Sequence, residues 1–227
     1  LPRATRAASF AVLVGAVYFH QIMPYPWYYP PWTLLGAIAL VGAAASFGDR
    51  VTPRVHSSGS IALAVVGICS VLLTGVQAHA LRVQQTTIEE HGRKQIGLWL
   101  REHARPGDRV FLEPIGYVGY FSQLKILDYP GLCAPEVSAL IRDGHRSYAE
   151  LVDALHPEWL VLRPHEIGRQ QFEARGTLAR YVLRARWKPR DELDTQTFVP
   201  GRDWMNFDGE FLVFQRASAS GADSLTN

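Results

Sequence analysis

Residues 109–129 read RVFLEPIGYVGYFSQLKILDY. Arg109–Glu113 and Lys125–Tyr129 are short apolar runs with polar ends, the pattern of brief strands. Ile115–Ser122 between them is glycine-rich and aromatic, and reads as a turn or a short helix. The unit therefore predicts strand, compact connection, strand. The same alternation continues outward on both sides.

Upstream, Leu81–Arg105 places Ile88, Ile96, Trp99 and Leu100 at helical spacing among charges, and Pro106-Gly107 ends that helix. Downstream, Pro130-Gly131 stops the second strand. Ala134–Asp143 opens a helix with Pro135-Glu136, a favourable first turn. Tyr148–Leu155 and Glu166–Arg175 read as helices. Trp159–Arg163, Tyr181–Trp187 and Glu210–Arg216 read as strands. Alternating helices and strands predict an α/β layer structure over 81–217. Residues 218–227 are small and polar and read as a disordered tail.

The N-terminal third differs in kind. Ala7 to Gly48 and Val55 to Leu81 contain no Asp, Glu, Lys or Arg. The first 79 residues hold four Lys/Arg and one acid, leaving 19 and 20 of the totals of 23 and 21 for the remainder. Three apolar runs result, at about 7–23, 32–48 and 59–79. A membrane-crossing helix needs about 20 largely apolar residues. Core helices show a polar face, which these runs lack. A signal peptide would account for the first run alone. The predicted fold class is thus membrane α-helical (three transmembrane helices) followed by a small extracytoplasmic α/β domain.

Arg3 and Arg6 precede the first run, and Arg50 and Arg54 separate the second and third. The positive-inside rule then sets the N-terminus in the cytoplasm and residues 80–227 outside it. Met23–Trp32, MPYPWYYPPW, becomes an outer-face turn. Its rings suit the headgroup layer, and its prolines stop the flanking helices. It reads either as an interfacial turn or as a surface for a lipid-linked substrate, with Trp27, Tyr28 and Tyr29 as contacts. The chain begins at Leu1 and has Met only at 23 and 205; it is expected to be the tail of a longer protein.

Several function classes lack their signatures. The basic residues form no stripe for nucleic acid. The two cysteines, Cys69 and Cys133, form no metal-type pair, and a disulfide between them is not expected. The histidines show no HExxH spacing. Gly116-Tyr-Val-Gly119 lacks the third glycine of a dinucleotide loop. Asp143, His145 and Ser147 are close in sequence, but RDGHRS reads better as a turn than as a triad. Asp191, Glu192 and Asp194 read as a solvated loop or, alternatively, a cation site. Arg163, Arg169, Arg175 and Arg180 read as an anion-facing set or as an exposed helix face. Glu113, Asp128 and Glu136 flank the aromatic turn. These three could bind sugar hydroxyls or position an acceptor, with Tyr117 and Tyr120 stacking on a sugar face; alternatively Glu113 and Asp128 simply end strands and cap neighbours.

LWLREHARPGDRVFLEPIGYVGYFSQLKILDYPGLCAPEV, DALHPEWLVLRP and WYYPPW together resemble the C-terminal region of bacterial GT-C-type multi-pass membrane glycosyltransferases, the group of ArnT and the protein mannosyltransferases. The resemblance covers roughly 20–165. It implies sugar transfer from a polyprenyl-phosphate donor on the outer face of the bacterial plasma membrane. It also implies an acidic base in an outward loop, and MPYPWYYPPW contains no carboxylate. The expectation is therefore the terminal part of such an enzyme without its catalytic base, partnered by the bilayer, the lipid-linked sugar and missing N-terminal helices. No cofactor is expected, a divalent cation having no motif to hold it. The alternative is a non-catalytic, membrane-anchored binding or scaffolding domain.

Overall fold

The structure, a computed structural model, describes residues 2–21, 29–48 and 53–217; for residues 19–21, 29–30, 44–48, 53–63 and 66 it describes the backbone alone. The chain forms two compact units, Leu1–Arg82 with Val199–Gly201, and Val83–Phe198 with Arg202–Asn227.

The first unit contains α1 (Arg3–Gln21), α2 (Tyr29–Gly48) and most of α3 (Pro53–Val83). Small residues bring α1 and α2 together. A Cβ on Gly42 would lie 1.9 Å from Thr5 Oγ1, and one on Gly15 would lie 2.6 Å from the Trp32 ring. The Trp32 indole N–H donates to the Val12 carbonyl at 3.0 Å. Trp32 is therefore a packing residue between helices.

The expected membrane helices are corrected here: among the described residues, no helix is long and apolar enough to cross a membrane. The runs were counted by absence of charge, and the helices have other limits. α1 starts at Arg3 and so takes Arg3 and Arg6 into the helix. α2 is rich in Ala and Gly, which carry little apolar surface, and its first turn holds Pro30 and Pro31. Prolines are tolerated in a first turn, where backbone N–H groups lack helical partners. α3 has 31 residues with polar stretches at both ends. Large apolar side chains are nevertheless exposed on this unit, including Phe10, Leu13, Val17, Leu34, Val71 and Leu72. Trp27, Tyr28 and residues 218–227 lie outside the described residues, as does the side chain of Tyr29.

The second unit opens with a ten-residue π-helical segment, Gln84–Arg93, that runs on into α4 (Lys94–His103). There follow β1 (Arg109–Leu112), α5 (Ile115–Ser122), β2 (Lys125–Asp128), α6 (Pro135–Arg142), α7 (Tyr148–Leu155) and β3 (Trp159–Leu162). Then come α8 (Pro164–Arg169), α9 (Phe172–Arg175), β4 (Tyr181–Trp187), α10 (Pro189–Asp194), α11 (Arg202–Met205) and β5 (Phe211–Arg216). The alternation thus yields an α/β unit. Two details differ from the sequence reading. The helix expected over 166–175 breaks at Gln171, whose φ is +63°. α10 and α11 lie in a stretch with too few apolar residues to show a period.

The strands form one mixed sheet in the order β2-β1-β3-β5-β4. β1 is parallel to β2 (Phe111 opposite Leu127) and to β3 (Phe111 opposite Leu160). β5 is antiparallel to β3 (Val161 opposite Val213) and to β4 (Trp187 opposite Phe211). Alternation along each strand divides the core. Phe111, Leu160, Leu162, Leu212 and Phe214 face α6, α7 and α9, against Val137, Leu151, Val152 and Phe172. Val110, Leu112, Trp159, Val161, Phe211 and Val213 face Ile96, Leu100 and Val118 of α4 and α5. Each fully buried side chain of this size contributes about 1.5–3 kcal/mol of hydrophobic stabilisation. The helices on opposite faces leave the two strand edges of the sheet as the places where charge collects.

Candidate functional site at the carboxyl edge of the parallel strands

The chain leaves β1 for β2 on one side and later returns to β3 on the other. The gap between β1 and β3 is a topological switch point, beyond whose carboxyl ends open α/β sheets commonly bind ligands. Glu113 follows β1 and Arg163 follows β3, and here the two are ion-paired. Arg163 also lies 3.6 Å from a Glu166 oxygen and 3.4 Å from an Asp208 oxygen. The second Asp208 oxygen accepts from Arg93 at 2.8 Å, and Arg93 donates again to Glu89 at 2.7 Å. Two guanidinium groups thus hold four carboxylates in a partly buried network. The Arg163 backbone N–H donates to Glu166 at 2.7 Å, closing the first turn of α8.

Burial sets the electrostatics of this network. Glu166 is raised above the usual carboxylate range by burial, against the opposing pull of Arg163. Burial raises Glu89 too, and Arg93 opposes it. The neighbouring His165 is lowered by burial and by the charges of Arg163 and Arg169. The network fills the switch point, so open space lies beside it, toward β5.

That space is a cavity of about 340 Å³, near the lower end of the roughly 300–1,000 Å³ typical of ligand pockets. Three elements reach it from one edge of the sheet. α8 supplies Pro164, His165 and Arg169; α10, which follows β4, supplies Arg190; the segment before β5 supplies Asp203, Asn206, Phe207, Gly209 and Glu210. The sheet dictates this convergence, because β4 ends and β5 begins opposite the carboxyl end of β3. The Arg190 N–H donates to the Gly209 carbonyl at 3.0 Å. A Cβ on Gly209 would lie 3.2 Å from the Arg190 Cβ and 3.5 Å from its Nε. The missing side chain therefore lets Arg190 lie close over the backbone.

The wall chemistry is asymmetric. Arg169 and Arg190 have no side-chain hydrogen bond or ion pair among the described residues, and neither has Asp203. Glu210 is neutralised by Arg186 at 3.0 Å. The Asn206 side-chain oxygen is buried without a hydrogen-bond partner. The Phe207 ring sits edge-on to His165, with centroids 5.6 Å apart.

The residues singled out from sequence separate under this geometry. Asp128 is fully buried, and both its oxygens cap the next loop, accepting from Leu132 N–H at 2.6 Å and Cys133 N–H at 2.9 Å. It offers nothing to a ligand. Glu113 is taken by Arg163. The Tyr117 hydroxyl accepts from Gln85, while Tyr120 is exposed and edge-on to Phe121 at 5.1 Å. Glu136 pairs with Lys125 at 2.7 Å. Of the four arginines read as an anion-facing set, Arg175 and Arg180 bind Asp153 and Arg163 belongs to the network. Arg169 alone of that set remains open to the cavity. Glu192 is bound by His91 at 2.8 Å and Asp194 by Arg202 at 3.0 Å. Ser147 caps α7 with Glu150 in a capping box, and Asp143-Gly144 is a turn, so RDGHRS is the turn from α6 into the α7 cap. Asp203, Asn206 and Phe207 were missed. Their only sequence signal is the Asn-Phe-Asp-Gly turn before β5. Among the described residues no three His, Cys, Asp or Glu are grouped to hold a metal ion.

The second unit is thus an α/β domain whose carboxyl edge joins a closed charge network to an open polar cavity. Residues 79–208 match the family model "Domain of unknown function (DUF8728)". That match spans more than half of the 227 residues, and the chain belongs to this family. No curated protein matches the chain, and no solved structure does. Nothing in these findings points to a GT-C glycosyltransferase, and the membrane and transmembrane assignments lose their basis with the helices.

Proposed function

We propose that the α/β unit is a binding module for a small anionic ligand, held in the cavity beside the β1–β3 switch point. The observation that carries this reading is the pair Arg169 and Arg190, which line one cavity and have no carboxylate partner among the described residues. Two guanidinium groups without anions repel each other, and an anion placed between them relieves that cost. Arginine suits the task because its planar fork makes bidentate, charge-assisted bonds to phosphate or carboxylate. The filled switch point supports binding over bond-making in this place: Glu113 and Asp128, the acids best placed in sequence for catalysis, are already engaged.

Titration calorimetry of the full chain with inorganic phosphate tests the reading. Saturable binding is expected, weakened at least tenfold in Arg169→Gln and in Arg190→Gln. Equal affinity in the wild type and both variants would refute the reading.

A further inference from the structure

The cavity is not uniformly cationic, and its second wall narrows the ligand class. Resting on the anion-binding reading above, we infer that the ligand is a phosphorylated polyol. Its phosphate lies between Arg169 and Arg190, and its hydroxyl groups lie on Asp203.

An acceptor without a donor carries this inference. The Asp203 carboxylate lines the same cavity and has neither an ion pair nor a hydrogen bond among the described residues. A bare inorganic anion would gain from the arginines and be repelled by Asp203. A neutral polyol would satisfy Asp203 and leave the arginines unpaired. A ligand with hydroxyl donors at one end and a phosphate at the other satisfies both walls. The exposed Phe207 ring beside His165 adds an apolar surface for the carbon face of the polyol. A cavity of about 340 Å³ admits one such small molecule.

The test compares three probes on the full chain by titration calorimetry: inorganic phosphate, glucose and glucose 6-phosphate. Glucose 6-phosphate is expected to bind at least tenfold more tightly than inorganic phosphate, and glucose not measurably. Asp203→Asn should weaken glucose 6-phosphate at least fivefold while leaving inorganic phosphate unchanged or slightly tighter. Circular dichroism and the thermal midpoint confirm that the exposed substitution leaves the fold intact. Equal affinity for the two phosphates, or equal loss of both in Asp203→Asn, overturns the polyol assignment and leaves the anion site standing. Binding of neither phosphate overturns both. Tighter binding of glucose than of glucose 6-phosphate also overturns both, since the arginines would then be irrelevant.

Discussion

The two edges of the parallel strands carry similar charges and treat them differently. At the amino edge, Glu158 accepts from the Arg109 backbone at 2.9 Å and from the Arg216 guanidinium at 2.8 Å, and both arginines also donate to the His156 carbonyl. Glu158, Arg109 and Arg216 thus all have partners. At the carboxyl edge, Arg163 is ion-paired with Glu113, Glu166 and Asp208, although its Nε and Asp208 Oδ1 make no hydrogen bond, and Arg169, Arg190 and Asp203 next to this set have no partner among the described residues. The difference teaches a way to sort charges by role. A closed set holds the sheet edge together, and an open set facing a cavity remains available to a ligand.

The largest effect should come from breaking the closed carboxyl-edge set. Arg163→Met leaves Glu166 and Asp208 without their shared cation, and removing one partner of a buried ion pair costs about 3–5 kcal/mol. Urea unfolding of the full chain would measure it. A loss under 1 kcal/mol would mean that the network is ornamental.

Next comes the open set. Arg169→Gln combined with Arg190→Gln should abolish phosphate binding. Stability should change by no more than about 0.5 kcal/mol, as for surface positions with no structural partner. A marked fall in the unfolding midpoint would show that these arginines belong to the closed class after all.

Glu158→Gln should cost about 1 kcal/mol at neutral pH, the scale of a typical net hydrogen bond. Burial raises the Glu158 pKa, but the hydrogen bonds and charge of Arg109 outweigh it and leave the group lowered. Its stabilisation is therefore complete above the unfolded value of about 4.3 and disappears as pH falls through the folded value. The wild type and Glu158→Gln should converge in stability on acidification.

Glu166 should show the opposite slope, and a smaller one. Its folded value is raised by burial, so the folded chain holds the proton more tightly than the unfolded chain. That contribution is complete below about 4.3 and is lost as pH rises through the folded value. In Glu166→Gln this segment of the pH–stability curve should flatten. An unchanged curve would place the titration elsewhere.

Much of the sheet was legible because its strands are short, apolar and bounded by Pro, Gly or charge. Trp159–Leu162 is buried at every position, and its uniform apolarity announces that. The site was far less legible. Asp128 and Glu113 stood out as acids at strand ends, yet their partners are set by three-dimensional closure. Leu132 and Cys133 offer Asp128 only backbone, and Arg163 lies 50 residues from Glu113. Arg190 and Asp203 come from stretches with no period, and only the antiparallel return of β5 brings them beside α8. The N-terminal runs misled for another reason. Absence of charge is not hydrophobic thickness: glycine and alanine there serve close helix packing, as at Gly42 against Thr5.

The Asp128 cap bears on how variants of this chain are interpreted. Both carboxylate oxygens accept backbone N–H groups, whereas an asparagine amide offers one acceptor and two donors. The shape-preserving exchange Asp128→Asn would set an NH2 group against an N–H in a fully buried place, and the loop 129–134 would have to let go. An assay of that variant would report a lost function with every outward sign of a missing catalytic acid. The cause would be two hydrogen-bond donors meeting head-on.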